Sequence, residues 1–249
     1  MENLWTLLFE LSSEERTGIL LAVRAERMKL TGLAERMNFT ATEASRQVQR
    51  LSEAKLIQKD PEGLYTITRY GELCVKLLES LDFASTNREY FLNHDASVLP
   101  FQFIERLGDL GGCVYQSDVI TNLAYDEEIM RTADKFVWAM ADQFHYSARP
   151  IVAEKQKSGI DIRTILPETV VPPPGFVPAE GVARRLLPRV DLHLIVTDKE
   201  ANFGLKYIDG RMDYGQFVCK KERFRGWCYD LFLYYWERAK PKIGPFLVK

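Results

Sequence analysis

Apolar residues recur along the first 82 positions at helical spacing, in short runs broken by polar turns. Leu4, Trp5, Leu7, Leu8 and Leu11, interrupted by Glu2 and Glu10, read as an amphipathic helix that docks on the domain behind it or on a second subunit. Ser12 and Glu15 form a capping box ahead of Ile19, Leu20 and Val23. Thr31 caps a short helix that turns Leu33, Ala34 and Met37 inward. Thr40, with Glu43 three places on, starts the next helix, and Ala44, Val48 and Leu51 give it one buried stripe. The period then changes: residues 56–59 and 64–68 are extended, with Asp60-Pro61-Glu62-Gly63 as the turn between them. Thr68 caps a further helix with Cys74, Leu77, Leu78 and Leu81 on one side, a stripe larger than a small domain needs for its own core, which points to a dimer contact.

Helix, turn, helix and hairpin in that order predict a winged helix-turn-helix. At about 100° per residue, the outer face of the second helix carries Thr42, Ser45, Arg46, Gln49 and Arg50, with Thr40 at its start. Arg pairs bidentately with guanine, Gln with adenine, and hydroxyls suit bases or phosphates, so this face fits a DNA major groove. The bland alternative is a polar face that meets only water. Lys59 and Arg69, at and just past the hairpin, lie where phosphates would pass, while Tyr65 packs under the hairpin or faces the backbone.

Beyond residue 82 the pattern alternates between strand and helix. Residues 135–140 read as a strand, Ser147 caps a helix through Lys157, Ser158-Gly159 ends it, and 160–166 form a second strand. Strand, helix and strand within about 30 residues make a βαβ unit with a parallel pair. Residues 192–196, 202–208 and 212–218 form a meander with Asp209-Gly210 at its hairpin turn, and an aromatic helix over 221–238 closes the chain. The expected organisation is α+β: a winged helix-turn-helix DNA-binding domain over 1–82, then an α/β effector and dimerisation domain over 83–249.

The residues at 90–95 (Tyr-Phe-Leu-Asn-His-Asp), Leu99-Pro100, and 105–110 (Glu-Arg-Leu-Gly-Asp-Leu) resemble the opening of the effector domain in archaeal winged-helix regulators of the methanogenesis-regulatory family. The final WCYDLFLYY at 227–235 resembles that family's last helix, and together the matches span nearly the whole chain. One departure is Leu99-Pro100-Phe101-Gln102, where that pattern has a smaller or acidic run after the proline. The run KSGIDIRTIL at 157–166 is similar to a segment of phospholipase-D-like domains, also found in archaeal TrmB-type sugar sensors. These resemblances imply a cytoplasmic archaeal transcription regulator whose second domain is phospholipase-D-like but lacks catalytic residues.

Composition changes this picture only at its edges. The chain has 249 residues, a net charge of −2 and 46% hydrophobic content, enough for two cores. The first 80 residues hold 11 Lys and Arg against 12 Asp and Glu, which excludes a nucleic-acid coat and leaves room for local positive charge. No apolar run approaches a membrane span and no signal peptide is visible. His94, His145 and His193 are followed two places on by Ala96, Ser147 and Ile195, so the HxK of phospholipase-D chemistry is missing, as are GxSxG, GxxxxGK and HExxH. No catalytic residue, cofactor or metal is therefore expected, although a residual hydrolase is the rival reading. Cys74, Cys113, Cys219 and Cys228 show no CxxC, which makes them buried thiols, with Cys219 and Cys228 as the pair if thiols sense redox state.

An effector site is the expected role of the second domain, because ligands of open α/β sheets bind beyond the carboxyl ends of the strands. Those ends lead into 142–147 and into the proline-rich 166–178, which is either a lid or a stiff connector. Trp138, Phe144, His145, Tyr146 and Arg163 are the expected lining, with His145 orienting a mostly apolar ligand that has one anionic or polar end. Arg184, Arg185 and Arg189 read as a solvated cluster or a seat for an acidic partner. The expectation is a homodimer that binds double-stranded DNA and responds to an unidentified small molecule. A winged helix used for protein–protein contact remains the alternative.

Overall fold

The computed structural model describes residues 2–242 apart from 173, 174, 176 and 178. The chain divides into two compact units, 1–78 and 79–249, where the sequence pattern placed the division after 82.

The first unit runs α1 (Glu2–Leu11), α2 (Glu14–Ala25), α3 (Leu30–Met37), α4 (Ala41–Glu53), β1 (Ile57–Lys59) and β2 (Tyr65–Ile67), and α5 (Arg69–Thr86) begins in it. Its core joins Ile19, Leu20 and Val23 of α2 to Leu33 of α3, Val48 and Leu51 of α4, and Leu56, Ile57, Cys74 and Val75. Two caps move from their expected places. Ser13, not Ser12, caps α2, accepting the Arg16 N–H; α3 starts after Lys29 with no side-chain cap, one residue before Thr31. Thr40 caps α4 as its spacing predicts. Asn38 stands in the left-handed region at φ 55°, a conformation Asn tolerates, and this lets the chain reverse tightly between α3 and α4. β1 and β2 pair antiparallel, Ile57 opposite Ile67, and Asp60 organises the turn by accepting the N–H groups of Glu62 and Leu64. On α5 the expected stripe splits: Cys74 and Val75 turn into the core, while Tyr70, Leu73, Leu77 and Leu81 are exposed.

The second unit continues with α6 (Arg88–Asn93), α7 (Phe101–Ile104), β3 (Val114–Gln116), α8 (Val119–Thr132), β4 (Phe136–Met140), α9 (Arg149–Lys157), β5 (Asp161–Pro167) and β6 (Ala183–Leu187). It closes with β7 (Leu192–Thr197), β8 (Ala201–Leu205), β9 (Gln216–Cys219), α10 (Glu222–Arg238) and β10 (Lys240–Pro241). Among the described residues eight strands form one mixed sheet in the order β10-β6-β5-β4-β7-β8-β9-β3. β4, β5 and β6 are parallel neighbours, and the remaining pairs are antiparallel. The parallel pair around α9 matches its predicted position. The β7–β8–β9 meander keeps its predicted order, but β8 ends at Leu205 and β9 starts at Gln216, so Asp209-Gly210 lies in a longer connection. α8, β3 and β6 have no counterpart in the sequence reading. Ala148, not Ser147, precedes α9, and no side chain caps that helix.

Strand alternation gives the sheet two different faces. One carries Trp138, Met140, Ile165, Leu194, Val196 and Phe203 and packs under the apolar residues of α10, including Trp227, Leu231 and Phe232. The opposite face carries Val137, Ala139 and Ile195 against Ile129, Met130, Ala148 and Ile151 of α8 and α9.

The motif at 90–95 is a structural knot. The His94 ring stacks between Tyr90 at 3.8 Å and Tyr207 at 4.5 Å between centroids. Its two nitrogens meet Tyr90 O at 2.7 Å and the Asp213 carboxylate at 2.9 Å, and Asp213 also accepts from the Tyr115 hydroxyl at 2.5 Å. Burial works to raise the Asp213 carboxyl, but the bonds from Tyr115, Gly215 and His94 hold it below the ordinary carboxylate range. Every partner of His94 is thus committed to holding α6 against the strands.

Candidate functional sites

In the first unit α4 and the β1–β2 hairpin enclose an open groove. It is lined by Ser45, Gln49 and Ser52 from α4, by Lys55, Gln58 and Lys59 from the turn and β1, and by Tyr65 and Thr68. Its volume is ≈ 530 Å³. Of the expected DNA contacts, Ser45, Gln49 and Lys59 line this groove, and Thr40, Thr42, Arg46 and Arg69 are exposed outside its lining. Tyr65 packs against the core of the unit while its ring, 5.5 Å from Lys59 Nζ, also borders the groove. Gln49 donates to Glu53 at 2.9 Å, a bond fully exposed to solvent.

Arg50 departs from the expectation. Its guanidinium holds Glu10 of α1 through two bonds, 2.6 and 3.1 Å, and lies over the Phe9 ring at 5.0 Å. Glu10 is buried and also pairs with Arg16 at 2.9 Å. The hydrogen bond to Glu10 raises the Arg50 pKa above its ordinary value. Arg50 therefore fastens α1 to α4, a role hidden from sequence because its partner lies 40 residues away. Ser52, Lys55, Gln58 and Thr68 are groove residues the sequence reading missed; Lys55 sits at φ 61°, which turns the chain from α4 into β1. Acidic charge at the hairpin tip is offset by Arg27, which reaches Asp60 at 3.3 Å and Glu62 at 3.1 Å.

In the second unit a two-lobed cleft opens beyond the carboxyl end of β4. The larger lobe, ≈ 90 Å³, has apolar walls from Met130, Val137, Ala139, Val152, Ile162 and Ile195, with Arg149 and Arg184 among its lining. By the space a single water requires, it admits roughly six to nine water-sized groups. The smaller lobe, ≈ 60 Å³, sets the polar side chains of Asn122, Asp126, Asp142, Gln143 and Tyr214 among apolar walls that include Leu123. Ala141, Gln143, Phe144, His145 and His193 line both lobes.

Phe144 and His145 line both lobes and Arg163 borders the larger one, as expected, whereas Trp138 and Tyr146 lie outside the lining. Trp138 belongs to the opposite face, stacked against Tyr229 at 4.8 Å and Phe232 at 5.2 Å, because residues 137 and 139 take the cleft side of β4. Arg163 borders the cleft, but its guanidinium lies over Trp138 at 4.4 Å and pairs with Asp161 at 3.0 Å. Tyr146 is exposed and outside the lining. Arg184 does border the larger lobe, whereas Arg185 stacks on Trp236 at 4.5 Å and Arg189 pairs with Asp191. The proline-rich stretch 166–178 falls partly outside the described residues, and the lid expected there with it.

Electrostatics concentrate in the smaller lobe. Asp126 accepts from Asn202 at 2.5 Å and Gln216 at 3.0 Å, and lies 3.3 Å from His193. Burial works to lower the His193 pKa, but the charge and hydrogen bond of Asp126, helped by Asp142, raise it above the ordinary imidazole value. Burial moves His145 the other way, below that value, and raises the Asp142 carboxyl above the usual range. Asn122 Oδ1 and His145 Nε2 are buried without a hydrogen-bond partner. Gln116 Oε1 and Gln216 Oε1 are likewise buried without a partner. Of these groups only His145 stood out in the sequence; Asn122, Asp126 and Asn202 come together through β-register and α8, which spacing does not reveal.

The four cysteines are free thiols. The β3–β9 register places Cys113 opposite Cys219, close enough to share a hydrogen bond. Cys228 is fully buried on α10, its thiol held well above the ordinary value by burial. Among the described residues no group of three or more His, Cys, Asp or Glu is placed to hold a metal ion, and no helix is long and apolar enough to cross a membrane.

No family model matches the chain, and no curated protein does. Among solved structures it is similar to TrmBL2, described as an archaeal chromatin protein with a novel mode of DNA binding. The identity is 13% and the TM-score 0.42, over 92% of this chain and 94% of that one.

Proposed function

We propose that the chain is a winged-helix transcription regulator that binds double-stranded DNA as a homodimer and responds to a small molecule held in its phospholipase-D-like second unit. The observation that carries the DNA half is the groove between α4 and the hairpin, lined by exposed hydroxyl, amide and lysine side chains, with Thr42 and Arg46 exposed beside it. α4 supplies base-reading chemistry from Ser45, Arg46 and Gln49, and Lys55, Lys59 and Arg69 supply phosphate contacts. Arg50 is left out, since Glu10 occupies it. The exposed Tyr70, Leu73, Leu77 and Leu81 of α5 support a dimer, because an apolar row of this kind on a helix is rarely left to water. The unpartnered Asn122 Oδ1 and His145 Nε2 in a cleft beyond parallel strands support the effector half. The reading assigns no catalytic step to either unit.

Titration of the chain with the DNA upstream of its own gene, against random duplex of equal length, tests the DNA half. Arg46→Ala is expected to cost about 1–3 kcal/mol on the specific site and to relax base preference there, and Lys59→Ala to weaken both duplexes alike and flatten the salt dependence. Equal binding of both duplexes by the native chain sinks the proposal.

A further inference from the structure

We infer that the cleft of the second unit takes a small zwitterion: an anionic group against Arg184 and Arg149, an ammonium against Asp142 and Asn122 Oδ1, and an apolar chain between them. This deepens the effector-site reading and rests on it.

The ammonium end follows from hydrogen-bond accounting. Asn122 is 2% exposed, and both hydrogens of its amide are spent, on Gln116 O at 2.9 Å and Tyr214 O at 2.8 Å. That fixes the orientation of the amide and leaves Oδ1 as an acceptor with no donor. Asp126 is not available, since His193, Asn202 and Gln216 already surround it. Asp142 keeps acceptor capacity: beyond the backbone N–H groups of its own residue and Gln143, its side-chain partner is the Tyr214 hydroxyl at 3.5 Å, at the outer limit for a hydrogen bond. A carboxylate and an amide oxygen, both short of donors in one lobe, call for a group with several hydrogens and positive charge.

The anionic end follows from charge. Arg184 is half-buried, and burial lowers its pKa. It bonds only to the carbonyls of Ala179 at 2.8 Å and Val182 at 3.4 Å, and no carboxylate pairs with it among the described residues. Arg149 likewise bonds the Val177 carbonyl at 2.5 Å. Two guanidiniums satisfied by neutral oxygens at the rim of a cleft select an anion. Between the two ends, Val137, Ala139, Ile162 and Ile195 offer methyl groups and no polar partner, which disfavours a polyhydroxylated ligand and fits a methylene chain.

Calorimetry on the full chain with 6-aminohexanoate, hexanoate and hexylamine as probes tests this. The zwitterion is expected to bind at least tenfold tighter than either single-ended probe. Asp142→Asn should erase its advantage over hexanoate while leaving hexanoate unchanged, and Arg184→Gln should weaken both carboxylates and spare hexylamine. Should either variant fail to fold, a series of ω-amino acids of increasing length on the native chain serves instead: affinity must pass through a maximum with length. Equal binding of hexanoate and 6-aminohexanoate, a flat length series, or no binding of any probe overturns the inference. Zwitterion binding that leaves operator affinity unmoved keeps the ligand class and sinks the regulatory reading, so the two fail separately.

Discussion

Two histidines in one cleft are displaced in opposite directions, and this gives the protein a pH signature. His193 faces Asp126 and Asp142 and has its folded-state value raised. The stability it contributes is fully present below the ordinary imidazole value of 6.5 and is lost as pH rises through the folded value. His145 faces Asp126, His193 and Glu127, and its folded-state value is lowered by burial. Its neutral form is favoured by folding, so stability falls as pH drops from 6.5 toward its folded value. Urea midpoints measured from pH 5 to 9 should therefore peak near the ordinary histidine value. His193→Asn should remove the alkaline decline and His145→Asn the mild acid one. A midpoint that rises steadily through pH 8 in the native chain excludes this assignment. The same scale shows what the sequence hides. Helical periodicity put Arg50 on the outward side of α4, correctly as geometry, but the carboxylate that claims it lies on another helix. Asn122 is an unremarkable helical Asn until both of its hydrogens are seen to be spent.

At the scale of elements, the legible parts are those whose chemistry is local. The Thr40 cap, the Asp60–Gly63 turn and the parallel pair around α9 are all written in adjacent residues, and all appear. Alternation along β4 was visible too; the side each parity would take was not. A one-residue change of parity separates Trp138 from the cleft and gives Val137 and Ala139 to it. α8 and β3 escaped because Val119 and Ile120 of the helix face solvent, and the strand has only three residues. Close backbone approach sets another constraint at this scale. A Cβ on Gly204 of β8 would lie 2.5 Å from the Gly215 carbonyl, so Gly204→Ala must push β8 away from the segment leading into β9. The expected cost is about 1–3 kcal/mol, read as a lowered urea midpoint with unchanged slope. An unaltered midpoint would show that the strands yield freely there.

For the whole molecule, the sequence indicated two units, a helical one and a mixed sheet, because the hydrophobic period changes along the chain. It did not indicate the cleft's smaller lobe, which needs α8, the β4 loop, β7 and the segment before β9 at once. The assembly follows from surface rather than core. Leu73→Lys with Leu77→Lys on α5 should leave the urea midpoint within about 0.5 kcal/mol of native, since both side chains are exposed. The same pair should reduce the mass in sedimentation to that of one 28.8 kDa chain. A native protein already sedimenting at that mass removes the dimer from the proposal.

Because the sheet is one strand thick, Val137 and Ala139 border the cleft while Trp138, between them, reports from the other side. Its indole is pressed against Tyr229, Phe232 and the Arg163 guanidinium, all quenching or shifting neighbours for light emission. Trp5 is 63% exposed and is expected to emit toward the red, whereas Trp138 and Trp227 are buried and are expected to emit toward the blue. Occupancy of the cleft should thus alter the blue fraction of the native fluorescence with the red fraction constant, and Trp138→Phe should abolish the change. The chain carries an optical gauge of its own interior.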